Sequence, residues 1–66
     1  MQRLYRTKSG SKYVIDPKKK TIKGGYFGDE EMYYEKLEGG VIGGPLIIYL
    51  SNGTVKTSTV VAYCQV

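Results

Sequence analysis

Short segments rich in Tyr, Val, Ile and Thr alternate with glycine-bearing turns along the whole chain of 66 residues, a pattern that predicts strands joined by tight connections. Leu4–Thr7 reads as a first strand, turned by Ser9-Gly10-Ser11, and Lys12–Asp16 as a second. Asp16-Pro17-Lys18-Lys19 has the signature of a type I turn, with Asp in the first position and Pro in the second. Lys20–Lys23 then follows as a third strand. The glycines at 24, 25 and 28 around Tyr26-Phe27 argue for a bulge, bend or loop. The stretch from Asp29 to Glu38 admits a helix capped by Asp29, but its adjacent tyrosines and flanking glycines favour a strand over Met32–Leu37. After a connector of glycines and Pro45, Leu46–Leu50 is a continuous apolar run, expected to be buried on both faces. Asn52-Gly53 between apolar runs predicts a two-residue hairpin turn of two positive-φ residues. Thr54–Thr59 leads out of it, and Val60–Val66 closes as a last strand.

Five to seven short antiparallel strands in one domain, 1–66, predict an all-β half-open barrel or a small two-layer sandwich. A chain of this length buries only about 60 % of its unfolded surface. With one cysteine and no histidine, neither an internal disulfide nor a Cys/His zinc site can staple it. Self-association is the remaining source of buried area, so a homo-oligomer is expected. The longest apolar run, five residues, falls far short of the ~20 of a membrane helix. No signal-like stretch follows the basic residues at the N-terminus. A lone cysteine suits a reducing compartment, and a cytoplasmic protein without a membrane partner is expected.

Charge then changes the picture. Residues 1–28 carry eight Lys or Arg against the single acid Asp16, a balance of +7, whereas residues 29–66 carry five acids against two bases, a balance of −3. A positive end on a small protein attracts polyanions, and the split would also suit a head-to-tail contact between subunits. Arg3, Tyr5, Arg6, Lys12, Tyr13, Lys18, Lys19, Lys20, Lys23 and Tyr26 interleave cations with aromatic rings. Single-stranded nucleic acid is held in this way, cations following the backbone and rings stacking bases. Lysines on a turn also discourage edge-to-edge strand pairing, so solubility is the plain alternative. Thr57-Ser58-Thr59 beside Lys56 offers hydroxyl donors for a phosphate or ribose, although a polar strand face or bulge accounts for the run more simply. Gly24 and Gly25 lack the spacing of a phosphate-binding loop.

Catalysis is not expected. No histidine supplies a base near neutral pH, Cys64 in its apolar strand reads as buried inert packing, and Asp29-Glu30-Glu31 reads as a solvated acidic edge. No cofactor is implied.

The hairpin Thr7-Lys8-Ser9-Gly10-Ser11-Lys12-Tyr13-Val14-Ile15-Asp16, with Gly43-Gly44-Pro45-Leu46-Ile47-Ile48 and Thr57-Ser58-Thr59-Val60-Val61, resembles small uncharacterised proteins of phages and bacterial mobile elements. That resemblance implies a phage-type accessory protein acting by binding. Two functions are therefore expected. The first is a non-catalytic module for nucleic acid or a nucleotide. The alternative is a factor that antagonises host defence by sequestering a nucleotide signal or binding a host protein.

Overall fold

The computed structural model describes residues 2–65. Seven antiparallel strands form one strongly curled half-barrel sheet: β1 (Arg3–Thr7), β2 (Lys12–Asp16), β3 (Thr21–Gly24), β4 (Met32–Tyr33), β5 (Lys36–Gly39), β6 (Pro45–Leu50) and β7 (Gly53–Gln65). Their spatial order is β4-β3-β2-β1-β7-β6-β5. The 13 residues of β7 join the two halves, pairing with β6 by the first part and with β1 by the second. The two edge strands, β4 and β5, are separated in sequence only by Tyr34 and Glu35. The Tyr34 N–H donates to the Lys20 carbonyl and the Glu35 N–H to that of Tyr49. One stretch of chain thus serves both edges, which leaves neither as a long unpaired ladder.

The all-β expectation holds, with differences in detail. The β2–β3 turn takes in Pro17 to Lys20, one residue more than the turn signature predicts. The Asp16 carboxylate accepts from the Lys18 and Lys19 N–H groups at 3.0 and 3.2 Å, and Lys20 closes the turn at φ 57°. Lys20 is therefore not part of β3. In the last hairpin Leu50 pairs with Gly53, so the turn residues are Ser51 and Asn52. Lys20 is the single non-glycine residue at positive φ among those described. Asn52 therefore lacks the left-handed backbone that the Asn-Gly reading assigns to it. The expected strand over Met32–Leu37 is interrupted where the chain passes from β3 to β6. The glycine-rich stretch contains one turn of 3-10 helix, Gly25–Phe27. Val66, which closes the expected last strand, lies outside the described residues.

The core is the inner face of the curl: Tyr5, Tyr13, Ile15, Ile22, Tyr34, Leu46, Ile48 and Val60. With one Phe and no Trp available, tyrosines supply its bulk. Strand alternation puts Tyr5 opposite Tyr13 and Ile15 opposite Ile22 on this face. Leu46 and Ile48 are buried while Ile47 and Tyr49 are half-buried, so β6 alternates instead of being covered on both sides. Tyr13 also donates structure outward, its hydroxyl accepting from the Tyr26 N–H at 3.3 Å. No helix among the described residues is long and apolar enough to cross a membrane.

Candidate functional site

The period of two that buries Tyr5 and Tyr13 turns their neighbours outward. Arg6 stands directly opposite Lys12 in the β1–β2 register, and both are exposed. Lys23, opposite Val14 on β3, extends this outward row. Leu4, half-buried on β1, faces Cys64 across the β1–β7 pair. Together Leu4, Arg6, Lys12, Ala62, Tyr63 and Cys64 line an open hollow of about 240 Å³. Its floor is apolar and two cations stand at one end. The sole salt bridge among the described residues is Lys36–Glu38 at 4.0 Å, on a different part of the sheet. Arg6, Lys12 and Lys23 have no carboxylate partner there.

The other expected ligand residues are dispersed. Burial of Tyr5 and Tyr13 takes their ring faces from solvent, so they cannot stack a base. Arg3 is half-buried, and its charge acts on Tyr34 on the inner side. Lys18 and Lys19 are exposed in the β2–β3 turn, at the far end of β2 from Lys12. The Lys20 ammonium donates to the Glu35 carbonyl at 3.0 Å and lies 5.8 Å from the Tyr34 ring centre. Tyr26 is 75 % exposed, but it belongs to a different groove, with Phe27 edge-on at 5.4 Å.

The hydroxyl run falls on a bulge of β7, where the pairing with β6 shifts between Ile47–Lys56 and Pro45–Thr59. Thr57 is buried. Its Oγ1 accepts from the Leu46 N–H at 3.0 Å and donates to the Ser58 carbonyl at 2.8 Å, which commits it to the bulge. Ser58 donates to Ser9 Oγ at 3.1 Å, and Ser9 Oγ lies 3.0 Å from Thr7 Oγ1. This hydroxyl chain pins the β1–β2 turn to β7, one step along the strands from Arg6 and Lys12. Thr59 is half-buried beside it.

Two parts of this surface escape a linear reading. Cys64 is exposed, not packed inside, because its place in the hollow depends on pairing with Leu4. Ala62 and Tyr63 reach the hollow in the same way, from a strand almost a chain length away from β1. A distinct groove of about 500 Å³ lies between the Gly25–Phe27 turn and the β6–β7 hairpin, lined among others by Tyr26, Phe27, Glu30, Met32, Leu50 and Val55.

Two tyrosines have raised pKa values. Burial disfavours the Tyr34 phenolate, which outweighs the opposing pull of Arg3. The Tyr49 hydroxyl donates to Glu38, whose carboxylate favours the protonated phenol. No cluster of His, Cys, Asp or Glu among the described residues has the arrangement of a metal site.

Comparison with protein-family models, curated proteins and solved structures gives no match.

Proposed function

We propose that the outward face of β1, β2 and β3 binds a phosphate-bearing ligand without catalysis, and that single-stranded nucleic acid suits it best. The observation that carries this reading is the Arg6–Lys12 pair. Like charges directly opposite on neighbouring strands destabilise a sheet, and no carboxylate relieves them here. An anion would convert that cost into binding energy. Adjacent strands are spaced by about 4.8 Å, so Arg6, Lys12 and Lys23 spread over about 10 Å, wider than one phosphate requires. The apolar hollow beside them, floored by Leu4, Ala62 and Cys64, offers a surface for a base or sugar, whereas the Tyr63 ring packs on Tyr5 on the other face of the sheet. Tyr5, Tyr13 and the Lys18–Lys20 turn are not part of this reading.

The test is fluorescence anisotropy with a labelled oligothymidylate and, in a separate arm, a labelled mononucleotide. If three cations each neutralise one phosphate, log K falls with log salt at a slope of about −2. Arg6→Ala and Lys12→Ala each reduce that slope by about 0.7, while Ala at Lys18, Lys19 and Lys20 together has a smaller effect. Occupancy also slows modification of the Cys64 thiol by a maleimide. Binding insensitive to salt, or equal loss from the turn variant, would remove this assignment. Binding of the mononucleotide alone would favour nucleotide sequestration instead.

A further inference from the structure

β5 is a terminal strand of the sheet, and β6 is its sole strand partner among the described residues. The ladder between them gives each backbone group of β5 a direction. The Gly40 N–H donates to the Pro45 carbonyl at 3.3 Å, and hydrogen-bonded pairs alternate along antiparallel strands. Glu38–Ile47 and Lys36–Tyr49 are therefore the bonded pairs of this register. Leu37 and Gly39 occupy the intervening positions, so their N–H and C=O groups point away from β6. No loop backbone among the described residues bonds to them. An open edge of this kind, short as it is, is a template for another strand.

The side chains of β5 say which strand fits. Its extended part is bounded on one side by Glu35, whose N–H turns to the Tyr49 carbonyl, and on the other by Gly39 at φ 79°. Lys36, Leu37 and Glu38 remain. A second β5 laid antiparallel covers all three only when Leu37 stands opposite its own counterpart, and the two leucines then exchange both hydrogen bonds. In that register Lys36 faces Glu38 of the second copy, and Glu38 faces its Lys36. These are non-hydrogen-bonded positions, where opposed Cα atoms are closest, at about 4.5 Å. Lys36 and Glu38 already form an exposed pair at 4.0 Å within one chain, so four charges of alternating sign make a square. Centring the pairing on Glu38 would set two carboxylates directly opposite, and centring it on Lys36 two ammonium groups, both destabilising. Leu37 lies opposite fully buried Ile48 and is itself half-buried against the core, and a counterpart beside it covers more of its side chain.

We infer that β5 pairs with β5 of a second copy of this chain about a two-fold axis at Leu37, joining the two sheets into one. The contact is isologous, and each copy uses its β5 edge in making it, so assembly closes at the dimer. A three-residue strand is a small interface, at the weak end of the range below about 1,200 Å², so the dimer forms with rising concentration. Its strands are remote in the sheet from β1, β2 and β3, whose outward face stays free.

Sedimentation equilibrium from micromolar to millimolar protein tests this. The native chain is expected to pass from monomer to dimer and to stop there. Lys36→Glu sets carboxylates against carboxylates across the axis, and Glu38→Lys sets ammonium groups against ammonium groups. Each variant weakens dimerisation by about tenfold or more. Mixed one to one, the two are complementary and form a heterodimer that neither matches by itself. Lys36→Glu together with Glu38→Lys in one chain exchanges the signs and restores self-association. Both side chains are exposed, and unchanged circular dichroism verifies folding. N-methylation of Leu37, introduced by chemical synthesis, removes an N–H that β6 does not use. It is expected to abolish the dimer and leave the monomer's circular dichroism unchanged. A native chain that stays monomeric at millimolar concentration, single-charge variants that dimerise as well as the native chain, or a mixture without preference for the heterodimer would each overturn the inference.

Discussion

Replacing Lys12 with Glu should stabilise the protein while removing the anion binding proposed for this face. The substitution exchanges a like-charge neighbour of Arg6 for an opposite one, directly across the strands. Cross-strand charge pairs contribute roughly 0.2–1 kcal/mol, with the sign set by the charges. Removing the repulsion and adding the attraction therefore amounts to about 0.5–1 kcal/mol at an exposed site. Unfolding entropy near the midpoint is about 2.1 cal/mol/K per residue, so 66 residues give about 0.14 kcal/mol/K. The expected rise in Tm is about 4–7 °C. Lys12→Ala, which removes repulsion without adding attraction, should give about half of it. Thermal melts followed by circular dichroism at about 10 mM and 1 M salt separate charge from packing, because the Debye length falls from about 30 to about 3 Å. The rise should be present at low salt and nearly absent at high salt. A Tm that stays level or drops at low salt, or a gain that salt does not reduce, would refute the claim that Arg6 and Lys12 repel across the sheet.

Other outcomes follow from the same geometry. Ile48 is fully buried, and Ile48→Ala should cost about 2–5 kcal/mol from a total near 3–10 kcal/mol for a domain of this size. Urea denaturation would show most of the folding free energy gone. Gly24 has φ 97°, and a side chain there would press on the Lys12 carbonyl. Gly24→Ala should therefore destabilise by more than about 1 kcal/mol, measured against Gly10→Ala, whose added methyl group meets open space. Because Tyr34 and Tyr49 have folded pKa values above the ordinary 10.0, the folded state holds their protons longer than the unfolded one. Their contribution is complete below pH 10.0 and is lost as pH rises through the folded values. Alkaline melts should show Tm falling above that pH, less steeply in Tyr34→Phe with Tyr49→Phe.

Local signals predicted local structure well. Lys12–Asp16 is β2 to the residue, because alternation and turn residues agree within one short window. Departures occur where a distant partner decides. The exception is local: Lys20 leaves β3 because the Asp16 carboxylate accepts from the Lys18 and Lys19 N–H groups and the turn closes one residue later. The Met32–Leu37 strand breaks because Tyr34 and Glu35 bond to opposite edges of the curl. Arg6 and Lys12 were legible as cations, but their confrontation is a fact of register, and the core's demand for tyrosine decided that Tyr5 and Tyr13 would not face a ligand. The hollow draws Leu4 and Cys64 from the two ends of the sequence, and the groove draws Tyr26 and Val55 from separate halves. No window of neighbouring residues contains either.

The junction made by β7 also governs how the chain can mature during synthesis. Arg3 waits for Gln65, so β7, which follows the other six described strands in chain order, is the one both halves require. Until it arrives, the flanks of β1 and β6 are open to foreign strands, and partners so remote along the chain favour slow folding. Translation speed and chaperone access over the codons of β7 should therefore affect yield more than changes to the early hairpins.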